Sequence, residues 1–443
     1  MSDQALYSAH IAHRRDRLDH LLNAHGFDVL FIHSGRLAYP RFDDRALPFR
    51  AHGHFSAWVP LSYTPDCLLE LRAGQRPILW YLQPDDFWHA PPQPPEHWWA
   101  NQWDVRIIKD TREWVKRIEV SEATAAIGLE DHLSGMGDHI AINPPALLQA
   151  LDEDRTFKTA YECACIYEAS LKAARAHQGA KKAFQEGGSE LSIFHAYLQA
   201  LNEDPMTLPY DGIVALNEHG ATLHYQHRQT GAPKEHLSFL LDAGADHLGY
   251  ASDITRTHAG ASHTSTGGLF QGLIDAMDHL ERQLAQSVKV GHSFVDMHNQ
   301  AHHGIAQILS QTELVSGSVE SMVETGITRA FFPHGLGHFL GVQVHDVAGQ
   351  VDANGRALPP PPSDPMLRLT RVLEKGHVVT IEPGLYFIPM LLEKLKQEPA
   401  GEQVNWSLVE SLIPWGGIRI EDDVLVTEAQ PTNFTREAFH AID

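Results

Sequence analysis

Two aspartates give the first chemical signal. Phe239-Leu240-Leu241-Asp242-Ala243-Gly244 and Gly249-Tyr250-Ala251-Ser252-Asp253-Ile254-Thr255 are β-prone runs on either side of a turn. Paired as a hairpin with the turn centred between His247 and Leu248, Asp242 lies opposite Asp253, with Cβ atoms about 5 Å apart on one face. Two carboxylates so placed repel, and burial adds to the cost unless a cation sits with them. A slip of one residue turns them to opposite faces and removes the argument. A second signal is Pro333-His334-Gly335-Leu336-Gly337-His338 with His345-Asp346 beyond it. A lone histidine is most often a hydrogen-bonded core residue, but three in a glycine-rich run, where backbone approaches closely, favour a site. Glu382 ends the apolar run Val379-Thr380-Ile381 just before Pro383-Gly384. Glu421 follows Gly416-Gly417-Ile418-Arg419-Ile420 and shares one strand face with Arg419. Taken singly, each glutamate reads as an exposed strand end.

Taken together, Asp242, Asp253, His338, Glu382 and Glu421 form an ordered ligand set. The charge of four carboxylates is cancelled by two divalent cations. Without cations, desolvated carboxyls this close would protonate instead. Hard oxygen donors with one imidazole suit Mn²⁺ or Co²⁺, with Zn²⁺ and Fe²⁺ as alternatives. The set contains no cysteine, which argues against a structural zinc site.

Elements must bring these residues together from across a chain of 443 residues. Hydrophobic residues make up 43% of it, enough for a large core, so global disorder is excluded. The formal charge of −22 argues against nucleic acid and anionic membrane surfaces as partners. No run of 18 apolar residues exists to span a bilayer, and the charged N-terminus does not read as a secretory signal. Three cysteines, Cys67, Cys163 and Cys165, fit a reducing cytoplasm. The first half reads as an amphipathic helix over 5–25, then short strands at Asp28–His33, Phe55–Leu61, Cys67–Leu71, Ile78–Leu82, Val105–Ile108 and Ala125–Leu129, with helical patches near 110–120 and 144–152. The pattern changes near Thr159. Helices are expected to about Gln185, from the N-cap Ser189 to about Asn202, and near 267–288 and 295–311. Strands are expected at Ser238–Leu241, Gly249–Thr257, Val378–Ile381 and Ile418–Val426, and Gly355 to Pro362 must be a loop. His302-His303, on a helical stretch, read as solvated.

The ligand order, with Leu240 to Ala245, His334-Gly335-Leu336-Gly337-His338, Val344-His345-Asp346, Thr380 to Tyr386 and Gly416 to Asp422, resembles the creatinase/aminopeptidase pita-bread metallopeptidases. Within them it is most similar to the bacterial Xaa-Pro dipeptidases (prolidases) and organophosphorus acid anhydrolases, along essentially the whole chain. The resemblance implies an α/β plus α+β architecture. A creatinase-like α/β domain over 1–156 would serve dimerisation and shape the substrate site, and a pita-bread catalytic domain would occupy 157–443. It implies a homodimer with two divalent ions per subunit: Asp253 and Glu421 linking both, Asp242 on one, His338 and Glu382 on the other. Glu382 would also shuttle a proton, His345 would donate to the oxyanion, and His224 would be a further active-site histidine. Arg368, with Arg371 as a nearby competitor, would hold the free carboxylate of a dipeptide. Arg419 would steady the site carboxylates, and His334 and Tyr210 would line the pocket. Asp43-Asp44 and Trp58 lie in a segment that the family directs towards the partner subunit's site. The implied activity is hydrolysis of Xaa-Pro dipeptides, with a side activity on organophosphorus esters and fluorides. The rivals are an aminopeptidase P acting on longer Xaa-Pro-Yaa peptides and a non-catalytic binding module on the same fold.

Overall fold

The computed structural model of the chain describes residues 2–128, 133, 136, 137, 139–261 and 264–442. The chain divides into two compact units, Met1–Cys165 and Ile166–Asp443. In the first, helix α1 (Asp3–His25) buries Tyr7, Ile11, Leu18 and Leu22 along one stripe. It stops at Gly26, whose φ of 75° lets its N–H reach back to the carbonyls of the last turn. Six strands follow: β1 (Val29–His33), β2 (Leu68–Arg72), β3 (Ile78–Leu82), β4 (Asp104–Ile108), β5 (Thr124–Ile127) and β6 (Ala141–Ile142). They form one mixed sheet in the order β4-β3-β2-β1-β5-β6. Val29, Phe31, Leu68, Trp80 and Ala126 pack together as its core. Helix α2 (Pro145–Thr156) buries Leu147 and Leu151.

The apolar run 55–61 is not a strand. Its backbone turns helically, with Trp58 N–H and Val59 N–H both donating to Phe55 O. Phe55, Trp58 and Val59 are all buried, and their three- and four-residue spacing is the helical period that apolar content alone obscures. The expected end of the fifth strand, Leu129, lies outside the described residues.

Helix α3 (Ala160–Gln185) begins before Ile166 and ends after it, and the second unit carries α4 (Glu190–Leu201), α5 (Ser265–Ser287) and α6 (Phe294–Gln311). Ser189 caps α4 by accepting the Ser192 N–H. After β7 (Ile213–Leu216), the aspartate-bearing hairpin is built from β8 (Ser238–Asp242) with β11 (Thr255–Ala259), and β9 (Asp246–His247) with β10 (Tyr250–Ala251). Asp242 pairs with Thr255, and His247 with Tyr250. The turn is therefore Leu248-Gly249, with φ of 54° and 93°, one position later than the sequence centred it. Both turn residues take positive φ, which Gly249 supplies without strain and which matches the twist of the flanking strands. The register moves by two residues, so Asp242 and Asp253 are diagonal rather than opposite. An even shift keeps them on one face.

The expected strand 418–426 is two strands. β14 (Gly417–Arg419) pairs with β13 (Gly384–Tyr386), and β15 (Asp422–Leu425) pairs with β12 (Val378–Ile381). The breaks coincide: Glu382-Pro383 separates β12 from β13, and Ile420-Glu421 separates β14 from β15. Both glutamates thus sit where one sheet hands over to another. Behind them Phe270, Met297, Ile305, Val379, Ile381, Ile418 and Val424 share one core.

Candidate active site

All five proposed ligands and the six other site candidates line a single cleft of about 380 Å³ in the second unit. The hairpin brings Asp242 and Asp253, the sheet junctions bring Glu382 and Glu421, and the glycine-rich run brings His338. Gly337 is required there, because a Cβ on it would lie 2.0 Å from Thr380 O. His338 Nδ1 is 2.9 Å from Phe339 O, which fixes that nitrogen as the donor. Its Nε2 lone pair then faces Asp253 Oδ2 at 3.4 Å and Glu382 Oε1 at 3.6 Å. Burial alone would lower the His338 pKa, but Asp253 and Glu382 outweigh it and raise it. Donor atoms of Asp253, His338 and Glu421 all lie within 4.8 Å of one another.

Charge balance tests whether this set fits metal ions. Arg419 Nη2 donates to Asp242 Oδ2 at 2.6 Å, and Arg419 Nη1 donates to Tyr386 OH at 2.8 Å. One guanidinium cannot compensate four buried carboxyls. Burial and the neighbouring acids accordingly push Glu382 up to about 7, Glu421 well above the carboxylate range, and Asp242 up despite Arg419. Asp242 Oδ1 is buried with no hydrogen-bond partner among the described residues. A buried acceptor without a partner, acids pushed up by burial and by one another, and an imidazole lone pair aimed among them fit a donor set for divalent cations.

The remaining candidates surround this core. Tyr210 OH donates to Asp253 Oδ1 at 2.6 Å. His334, partly buried and lowered to about 3 by burial, lies 2.8 Å from Tyr386 OH and 3.6 Å from Glu382 Oε2. The His345 ring stands edge-on to His338 with centroids 4.3 Å apart. His224 is exposed on a turn at the cleft wall, and Arg368 reaches the cleft from the loop after the prolines. Arg371, the competitor, turns away: it is buried over the Phe339 ring beside Glu374. In the first unit, Trp58 is buried edge-on against Trp103, while Asp43 and Asp44 are exposed.

Two residues at the site carried no role in the sequence reading. Tyr386 bridges Arg419 and His334, and Thr255 donates to Glu421 Oε2 at 2.6 Å while Arg419 Nε donates to its hydroxyl at 3.2 Å. The two-residue strand period held the signal for both, since Tyr386 repeats Glu382 and Gly384, and Thr255 repeats Asp253.

Comparison with known proteins identifies the family. Residues 5–152 match the Xaa-Pro dipeptidase N-terminal domain, and residues 164–428 match metallopeptidase family M24. The Xaa-Pro dipeptidase of Xanthomonas campestris pv. campestris is 44% identical over 438 residues, spanning 98% of each chain. That of Stenotrophomonas maltophilia is 43% identical over 439 residues, spanning 99% of this chain and 98% of its own. Among solved structures, zinc-substituted E. coli aminopeptidase P in complex with product superposes with a TM-score of 0.73 at 21% identity, covering 99% of this chain and 96% of that one. Proline aminopeptidase P II from Yersinia pestis gives 0.72 at 21%, covering 99% and 97%. These likenesses are of fold, a smaller N-terminal α/β domain followed by a pita-bread domain. The chain is therefore a peptidase that depends on divalent metal ions, and it belongs to metallopeptidase family M24.

Proposed function

We propose that the protein is a dinuclear Xaa-Pro dipeptidase, with Mn²⁺ as the working metal and Co²⁺, Zn²⁺ and Fe²⁺ as substitutes. The observation that carries the reading is the convergence of four carboxylates and one imidazole with a single guanidinium among them. Asp242, Asp253, His338, Glu382 and Glu421 would hold the ions, whose Lewis acidity would activate water at neutral pH and polarise the scissile carbonyl.

The chain's own residues do the rest. The bond before proline is a tertiary amide, so the ring nitrogen must be protonated as it leaves. The Glu382 carboxyl would take a proton from the attacking water and hand it to that nitrogen. His345 and His224, on the cleft walls, would donate to the developing oxyanion and the substrate. Arg368 would grip the free carboxylate of the dipeptide, for which a planar guanidinium fork is suited. Arg419 would hold Asp242 in place, while Tyr210 and His334 shape the pocket. A cleft that stabilises a tetrahedral centre would also hydrolyse organophosphorus esters and fluorides as a side reaction.

We assign residues 1–156 to dimerisation and site shaping and 157–443 to catalysis. The working form would be a cytoplasmic homodimer with no nucleic-acid or membrane partner. Its three cysteines form no disulfide with one another, and no helix among the described residues is long and apolar enough to cross a membrane. The test is a panel of Leu-Pro, a tripeptide Arg-Pro-Pro and a fluorophosphonate on Mn²⁺-loaded protein. Leu-Pro should be cut at least tenfold faster than the tripeptide. The reverse order makes the protein an aminopeptidase P, and no turnover with fewer than one metal per chain makes it a binding module.

A further inference from the structure

A second group of imidazoles and carboxylate lies away from the metal ligands. His298 and His302, one turn apart on α6, meet Asp364 of the proline-rich loop. His302 was expected in solvent, yet both histidines are 1% exposed, and only His303 faces out. His298 Nε2 and His302 Nε2 are 3.2 Å apart, and they lie 3.4 and 3.5 Å from Asp364 Oδ1. That spacing is the edge of a tetrahedral metal site, but two observations exclude a metal here. Arg329 Nε donates to the same Oδ1 at 2.7 Å and Nη2 to Oδ2 at 2.9 Å, so a cation is already built in. A metal would also force the His298 proton onto Nδ1, which is buried with no partner. With that proton on Nε2, His298 donates into the cluster. His302 Nε2 accepts, and His302 Nδ1–H donates to Thr328 Oγ1 at 3.0 Å. Ser363 adds a fourth donor to Asp364 at 2.6 Å.

Everything this carboxylate fastens leads to the cleft. Arg329 and Thr328 lie on a short helix, Ile327–Phe331, directly before the segment carrying Phe332 and His334. The Phe332 ring packs on both cluster histidines and on His334, with centroids 5.6, 5.1 and 4.8 Å apart. On the other side, Asp364 O accepts the Leu367 N–H at 3.1 Å, closing the turn that ends one residue before Arg368. Leu367 is buried, and its Cα sits so close to Gly335 that a Cβ there would lie 2.9 Å away. Among the described residues the Arg368 side chain makes no such anchor, and it is exposed in the cleft.

We infer that the Asp364–Arg329–His298–His302 cluster positions Arg368 for the carboxylate of the substrate. Asp364 and Arg329 are positioning residues that set dipeptide specificity without touching substrate. The inference rests on the dipeptidase reading and deepens it.

The test measures KM and kcat on Leu-Pro and on Leu-Pro amide, with Mn²⁺-loaded wild type, Asp364→Asn, Arg329→Lys, Arg368→Ala and the double variants. Arg329→Lys keeps the charge and loses the fork, so it serves if Asp364→Asn does not fold. The expected result is a tenfold rise in KM for Leu-Pro with kcat within threefold, and no change for the amide. In the Arg368→Ala background the same substitutions should add nothing, because the two effects act through one contact. Equal effects on dipeptide and amide, or additive effects with Arg368→Ala, reduce the cluster to ordinary packing and overturn the inference. So does an extra equivalent of bound metal that disappears in His298→Ala. If wild type itself cuts Leu-Pro no better than the amide, the dipeptidase reading fails and takes the inference with it. If wild type discriminates and the cluster variants discriminate equally well, the inference alone fails.

Discussion

The metal-ligand set and the Asp364 cluster use the same chemistry to opposite ends. Each places imidazole nitrogens within 3.4–3.6 Å of carboxylate oxygens. Around Asp364 the positive charge is part of the chain. Burial pushes that carboxyl up, but the His298, Arg329 and Ser363 donors hold it below the usual range. Around Glu382 and Glu421 one guanidinium, Arg419, faces four carboxyls, and the acids rise. The difference is the ratio of fixed cation to carboxylate, and it separates a structural anchor from a site suited to divalent cations.

The harshest way to break this contrast is to neutralise one carboxylate on each side. Glu421→Gln should lower kcat/KM on Leu-Pro by about 10³-fold, the scale on which removing a group that stabilises the transition state is felt. Metal content by elemental analysis should fall with it. Asp364→Asn should leave metal content unchanged.

pH separates the two groups by sign. In metal-free protein, Glu382 has its pKa raised from 4.5 to about 7. Its contribution to stability is complete below pH 4.5 and lost as pH rises through 7. Asp364 is lowered from 3.8, so its contribution is present above that value and lost as pH falls below it. The melting temperature of metal-free protein should therefore fall by about 5 °C or more between pH 5 and 8. Metal-loaded protein should stay level there and lose stability only in acid. A metal-free protein that is flat across pH 5–8 contradicts the charge deficit at the site.

Arg368→Ala sharpens the contrast within the cleft. Losing a charged hydrogen-bond pair of about 1.5–3 kcal/mol should raise KM for Leu-Pro about ten- to hundredfold, with bound metal untouched. The smallest effect is expected from Thr328→Val, which removes the hydroxyl beside His302 Nδ1. Denaturant unfolding should show a loss of about 1 kcal/mol, and KM for Leu-Pro should rise slightly.

The convergence of the five candidate ligands is legible in the sequence because strand periodicity tolerates an even error in register. The hairpin was centred one position early, yet a register change of two leaves Asp242 and Asp253 on the same face. Glu382 and Glu421 could be named from their runs, but the partner switch that makes them meet is a property of two sheets and leaves no mark in either run alone. Tyr386 and Thr255 were within reach of the same alternation and were passed over. The Asp364 cluster was beyond reach. Whether His302 faces solvent depends on Phe332 and on a loop some sixty residues away, and α6 carries polar and apolar residues on several faces. The run 55–61 misled because apolar content was weighed without its period.

The paired strand breaks have a dynamic consequence. Glu382 N–H donates to Leu336 O at 2.8 Å, and Glu421 N–H donates to Thr255 O at 3.1 Å, so each amide is tied to a segment outside its own sheet ladder. Cross-links of this kind open only when separate blocks of the fold come apart together. The two amide protons should therefore exchange with deuterium far more slowly once the ions are in place. They would act as built-in gauges of how tightly cation loading knits the blocks into one cooperative unit.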